Sequence, residues 1–275
     1  RYEKKFSKLK KINSSQFKFK KTELKRVLKK LDNKTKKSID LAFNRISKFH
    51  KKQKFENYSF KDKLKNNFKY YTSPINRVGV YVPGGTASYP STVLMNCIPA
   101  LIAGVKEIYL TTPCLNKKIN PAIIYAAKKC KVKAIYKIGG AQAIASLAYG
   151  TKRIKKVDKI VGPGNEYVAI AKKEVFGDVG IDMVAGPSEV TIVTDKYSNP
   201  SWVAADLIAQ AEHDKIAQSI LISNDINIIK QVNFIVKEQL SKLPKKNIAQ
   251  ASLKNYGYYI FCRNQKQTIN IINEI

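Results

Sequence analysis

The strongest constraint on this chain is an alternation. From Arg77 onward, short apolar runs of strand length take turns with stretches of helix length. The predicted strands are Val78–Val82, Glu107–Thr111, Lys133–Ile138, Val157–Val161, Val190–Thr194, Ser219–Ser223 and Gly257–Cys262. Between and after them, helices are predicted over Thr92–Ala103, Pro121–Lys131, Ala141–Tyr149, Asn165–Phe176, Pro200–His213, Ile226–Leu240 and Gln265–Ile275. Strands separated by helices of this length make βαβ units, and βαβ units make parallel sheets. The expected fold class is therefore α/β. A hydrophobic content of 44% in 275 residues is enough for a sizeable core in one large or two medium domains.

The first 70 residues have a different texture. They hold 25 Lys/Arg against 6 Asp/Glu and read as a helical, Lys-rich segment. Thr22 is a candidate cap for a helix over Glu23–Leu31. A longer helix is expected over Lys34–Gln53, with an apolar stripe of Ile39, Ala42, Phe43, Ile46 and Phe49. Its terminal His50 suits the negative end of the helix dipole better than a metal. Residues 54–76 are polar and aromatic and read as a connector or an irregular strand. The whole chain carries a formal charge of +31. That charge invites a nucleic-acid reading, yet Arg is scarce and Lys, Asn and Ile abound throughout. Base readout favours Arg and interleaved aromatics, so a lysine-biased composition is the better account, and no specific nucleic-acid partner is expected.

No run of 18 apolar residues occurs, and the most apolar region, Val93–Val105, is broken by Asn96 and Pro99, so no membrane span is expected. The Lys-rich start is unlike a signal peptide, and the chain begins with Arg rather than Met, which suggests an incomplete N-terminus. Cys97, Cys114, Cys130 and Cys262 are scattered without a CxxC pair, as expected of free thiols in a cytoplasmic protein.

Chemistry is expected where glycine-rich turns follow the strands, because open parallel sheets bind ligands outside the carboxyl ends of their strands. These turns are Pro83-Gly84-Gly85, Gly139-Gly140-Ala141-Gln142, Gly162-Pro163-Gly164-Asn165 and Ala185-Gly186-Pro187-Ser188. Glycine permits close approach of backbone to ligand, and the helix that follows favours anions. The usual dinucleotide fingerprint is incomplete, since its third glycine would fall on Tyr167. A second candidate is the helix capped by Asn199. On it Asp206, Gln210 and His213 fall at i, i+4 and i+7, which shares one face. A hydrogen-bonded helix end explains that spacing; so does a metal site, since imidazole and amide oxygen can both ligate.

Five motifs in order then resemble one family. They are Val78-Gly79-Val80-Tyr81-Val82-Pro83-Gly84-Gly85, Gly139-Gly140-Ala141-Gln142-Ala143-Ile144-Ala145, Val157-Asp158-Lys159-Ile160-Val161-Gly162-Pro163-Gly164-Asn165, Ile181-Asp182-Met183-Val184-Ala185-Gly186-Pro187-Ser188-Glu189 and Gln210-Ala211-Glu212-His213. Together they resemble histidinol dehydrogenase. The resemblance implies oxidation of L-histidinol to L-histidine through the aldehyde, with NAD and a zinc ion, by a homodimer. It implies that Tyr81, Gln142 and Asn165 contact NAD, that Ser188, Gln210 and His213 contact histidinol, and that Gln210 and His213 ligate zinc. It also implies two Rossmann-like units: residues 80–187, and residues 1–79 together with 188–275. The general acid/base Glu-His pair of the family is expected beyond Ile275, so no catalytic residue is assigned within the chain, which is expected to be inactive alone. Asp206 has no family role and is read as solvent-facing or as support for His213. Competing readings are a non-catalytic nucleotide-binding protein, a polyanion binder, and an aldehyde dehydrogenase with a cysteine nucleophile.

Overall fold

A computed structural model describes residues 17–84, 89–114, 118–184, 188–243 and 246–275. The chain divides into two compact units, residues 1–184 and 185–275.

The first unit is organised around a parallel sheet of five strands: β3 (Arg77–Tyr81), β4 (Glu107–Thr111), β5 (Ala134–Tyr136), β6 (Lys159–Val161) and β7 (Gly180–Ile181). Their spatial order is β5-β4-β3-β6-β7. The chain thus moves outward from β3 to β5, returns to the other side of β3, and moves outward again. Val80 of β3 pairs with Leu110 on one side and Val161 on the other. Both faces of the sheet are buried, so its strands are nearly continuous apolar runs rather than alternating ones. Val78, Val80, Ile108, Leu110 and Ile135 point into one cluster with helices α3 (Pro90–Ala103) and α4 (Pro121–Lys129). Tyr81, Tyr109, Ala134, Tyr136 and Ile160 point into the other with α5 (Gly140–Tyr149) and α6 (Glu166–Glu174). Gly79 lets α5 approach closely, since a Cβ there would lie 2.9 Å from Leu147 Cδ1.

The N-terminal segment packs on this unit. Helix α1 (Lys21–Leu28) carries no side-chain cap, so the expected Thr22 cap is replaced by a start at Lys21. Helix α2 (Asn33–Lys51) is capped by Asp32, which accepts from the Thr35 amide. Ile39 is buried and Ala42, Phe43 and Ile46 pack beside it, whereas Phe49 is exposed. Asp40 ties α2 to α4 through Tyr125 and Lys129. Residues 54–76, expected as a connector or an irregular strand, contain a hairpin of β1 (Tyr58–Lys61) and β2 (Asn67–Tyr70), with Tyr58 stacked on Tyr70 and Phe60 on Phe68.

The second unit holds β8 (Glu189–Thr194), β9 (Gln218–Ser223) and β10 (Gly257–Phe261) in the parallel order β10-β9-β8. Helices α7 (Pro200–Ala211), α8 (Ile226–Ser241), α9 (Lys246–Tyr256) and α10 (Gln265–Glu274) complete it. Leu207, Leu221, Ile228, Val232 and Val236 form its main core, while Ile220, Ile222 and Cys262 pack with Ile271 on the other face. Helix α9 was not expected from the sequence. Its buried Ala249 and Ser252 are too small to mark an apolar stripe. Helix α7 stops at Ala211, so His213 lies in the turn that follows rather than on the helix. The last turn tightens there, with the His213 amide donating to Gln210 O at 3.1 Å.

Candidate active site

In the first unit the expected nucleotide residues lie at the carboxyl edge of the sheet. Tyr81 ends β3 and is buried. Its hydroxyl reaches the start of α5 and accepts from the Gly140 amide at 3.1 Å. Gly140 takes a left-handed φ of +66°, and a Cβ there would lie 3.2 Å from Gln142 Oε1. Gln142 is thus folded back over the same helix start that Tyr81 holds. The loops after β3, β4 and β5 are pressed together by glycine: a Cβ on Gly84 would lie 2.6 Å from Pro113 O, and one on Gly139 would lie 2.5 Å from Pro113 Cβ. Of Pro83-Gly84-Gly85, the last glycine lies outside the described residues, as do Ala185, Gly186 and Pro187.

Asn165 begins α6, and its side chain accepts from the Val168 amide at 3.3 Å, so it is the helix cap. Gly162, three residues earlier, has φ +112°, and a Cβ there would lie 2.1 Å from Tyr81 O. Tyr81, Gln142 and the Asn165 loop therefore converge where the strand order reverses between β3 and β6. In a parallel sheet that reversal opens a crevice, and a helix start facing such a crevice favours an anion.

The second group lies differently. Ser188 is exposed just before β8, and its carbonyl accepts from the Gln218 amide at the start of β9 at 3.0 Å. Gln210 lies in the last turn of α7 and His213 just past its end, leading toward β9. All three are therefore at the amino edge of this sheet. The carboxyl-edge rule used for the glycine turns does not reach the end of α7; there the spacing of Gln210 and His213 drew attention instead. Asp206 is exposed.

Gln210 Nε2 is buried and has no hydrogen-bond partner among the described residues. A buried orphan amide of this kind calls for a ligand or an ion. Amide nitrogen and oxygen exchange places by a flip, so the same position can present Oε1 to a metal. With the imidazole of His213 three residues on, the donor types fit zinc. They supply two ligands, and among the described residues no group of three or more His, Cys, Asp or Glu could hold a metal. The pair fits as part of a ligand set.

The profile of the histidinol dehydrogenase family matches residues 1–275. The chain belongs to the histidinol dehydrogenase family. It is 60% identical over 254 residues to histidinol dehydrogenase of Pelagibacter ubique, covering 92% of this chain and 59% of that protein. It is 46% identical over 253 residues to that of Acinetobacter baylyi, covering 92% and 59%. The crystal structure of histidinol dehydrogenase from Elizabethkingia anophelis superimposes with a TM-score of 0.91 at 40% identity, over 99% of this chain and 63% of that one. The chain thus spans about 59% of the length of such relatives. A propionaldehyde dehydrogenase from Clostridium phytofermentans shares the fold at 12% identity, with a TM-score of 0.52.

A cysteine-nucleophile chemistry finds no support within the histidinol dehydrogenase framework of this chain. All four cysteines are buried. The Cys97 thiol is held well above its usual range by its contact with Cys130 and by burial. Such thiols are poor nucleophiles. No described helix is long and apolar enough to cross a membrane.

Two side chains that the motif reading gave no role complete the first group. Lys172 and Asp182 form an ion pair that holds the Gly162 backbone. Lys172 stands near the end of a helix that otherwise reads as an ordinary amphipathic one, and only its burial marks it.

Proposed function

We propose that this chain carries the nucleotide side and part of the substrate and zinc side of a histidinol dehydrogenase. The reaction is the NAD-dependent oxidation of L-histidinol to L-histidine through the aldehyde. The observation that carries the reading is the convergence of Tyr81, Gly140–Gln142 and the Gly162–Asn165 loop at the strand-order reversal, in a chain of this family. When bound, NAD accepts hydride, and zinc orients the amino alcohol and lowers the pKa of its hydroxyl. Tyr81, Gln142 and Asn165 would bind and orient the nucleotide. Ser188, Gln210 and His213 would position histidinol, with Gln210 and His213 as zinc ligands. The acid–base role is assigned to none of these 275 residues, and on that account the chain alone is expected to be inactive.

Both units are proposed to be Rossmann-like, and the working protein to be a cytoplasmic homodimer. The division into residues 80–187, and 1–79 with 188–275, is a proposal for the longer protein; in this chain α1 and α2 pack with the first unit.

The test is a paired assay of histidinol-dependent NADH formation, with zinc, for this chain and for the protein expressed from its complete reading frame. Activity in the second alone supports the assignment. NAD binding without activity in either, both folded, favours a non-catalytic nucleotide-binding protein. Activity of the chain alone overturns the expected inactivity.

A further inference from the structure

Gly162 is where β6 gives way to the loop that leads into α6, and both polar groups of its backbone are held by one ion pair. Its amide donates to Asp182 Oδ2 at 2.7 Å. Its carbonyl accepts from Lys172 Nζ at 3.1 Å. The two side chains bond to each other, and Asp182 Oδ1 also accepts from the Met183 amide at 2.7 Å. Lys172 comes from α6 and is only 3% exposed; Asp182 follows β7 directly.

The ladder explains why a side chain is needed here. Pairing of β6 with β7 covers Lys159 with Gly180 and Ile160 with Ile181, and it closes with the Asp182 amide donating to Ile160 O at 3.2 Å. Past that point a carboxylate takes the place that a strand carbonyl would have had. A buried lysine is costly and is weak support for stability, so a fold that only needed the loop closed could have used one more rung of backbone. The ion pair instead fixes the backbone of a single residue, Gly162 at φ +112°, against the Tyr81 carbonyl.

We propose that Lys172 and Asp182 are positioning residues for the nucleotide. They lock the Gly162 backbone against Tyr81, so that the Gly162–Asn165 loop and the start of α6 are set before the nucleotide arrives. Preorganisation of this kind raises affinity by removing the ordering cost from the binding step. The inference rests on the reading of Tyr81, Gln142 and Asn165 as the NAD face.

The test uses the protein from its complete reading frame, with NAD as the probe in equilibrium binding. Lys172→Met removes the clamp's cation. Asp182→Asn keeps an acceptor for the Gly162 amide but leaves Lys172 unpaired, and it carries the test if Lys172→Met does not fold. The NAD dissociation constant is expected to rise about tenfold or more in either variant, the loss of one charge-assisted hydrogen bond. Zinc content and histidinol affinity, which a positioning role in the first unit does not touch, should stay as in the parent. A parent that binds NAD, with folded variants that bind it equally well, overturns the clamp and leaves the NAD reading standing. Parallel loss of NAD, histidinol and zinc, or of the fold in both variants, makes the pair merely structural and overturns it too. A parent that does not bind NAD removes both readings together.

Discussion

The Tyr81 carbonyl and the Cα of Gly162 approach so closely that no side chain fits between them: a Cβ on Gly162 would lie 2.1 Å from that oxygen. The contact joins β3 to the exit of β6, the two strands where the sheet order reverses. Gly162 also adopts φ +112°, a conformation that side-chain-bearing residues rarely take. Gly162→Ala therefore meets both a backbone clash and dihedral strain. It should destabilise the first unit by about 3–5 kcal/mol, or displace the loop from Tyr81. A denaturation midpoint and NAD affinity that both match the parent would show that the loop accommodates a methyl group.

Much of this architecture can be read in the sequence, because the parallel strands are buried on both faces. Val78–Val82 and Glu107–Thr111 stand out as apolar runs for that reason, and the crossover helices between them follow. What escaped lacks such a signal. Strand β7 is two residues long and extends the sheet edge through its backbone alone. Strands β1 and β2 are exposed on all residues, so their alternation marks no core. At the site, the glycine turns beside Tyr81, Gln142 and Asn165 were legible, while a nucleotide role for these three came only from the family resemblance; the capping by Asn165 and the Lys172–Asp182 pair depend on contacts between segments ten or more residues apart or on local geometry that spacing does not encode. The Gln210 amide nitrogen, without a partner among the described residues, is equally invisible in sequence, since burial of one atom is a tertiary property.

Two buried hydroxyls should respond oppositely to removal. Thr111 Oγ1 is buried and without a partner among the described residues. Ser252 Oγ is buried and donates to Ala217 O at 2.7 Å. Replacing an unpaired hydroxyl by a methyl of the same shape discards only a desolvation cost, so Thr111→Val should be neutral or stabilise by up to about 1 kcal/mol. Ser252→Ala deletes the donor of a satisfied carbonyl and should cost about 1–2 kcal/mol. Urea midpoints of the two variants would check the ordering, and a larger loss in Thr111→Val would mean that its hydroxyl is bonded in solution.

The chain should lose stability at high pH through its buried tyrosines. The Tyr109 pKa is pushed up to about 12 from 10.0, first by burial and then by its hydrogen bond to Glu107. Burial also raises Tyr136 and Tyr259. A phenol whose folded pKa lies above its unfolded one holds its proton more tightly when folded. Its contribution is complete below pH 10.0 and is lost as pH rises toward about 12. Circular dichroism and tyrosinate absorbance should change together in that window. Tyr109→Phe should shift the loss to higher pH; an unchanged alkaline transition in that variant would assign the loss elsewhere.

The zinc assignment makes the last prediction. Gln210, in the last turn of α7, has a buried amide atom without a partner among the described residues, and the chain turns at His213, whose amide bonds back to the Gln210 carbonyl at 3.1 Å. That turn holds amide and imidazole a fixed three residues apart at one helix end, so removal of either donor should weaken the same ion. His213→Ala, in the protein from its complete reading frame, should lose most of its zinc on dialysis, and Gln210→Ala should lose it in part, because imidazole is the stronger ligand of the two. NAD affinity is the internal control: its proposed residues lie in the first unit, so it should not move. Metal analysis beside nucleotide binding separates the outcomes. Full zinc content in His213→Ala would remove that residue from the ligand set, and loss of NAD binding alongside zinc would point to unfolding rather than to ligation.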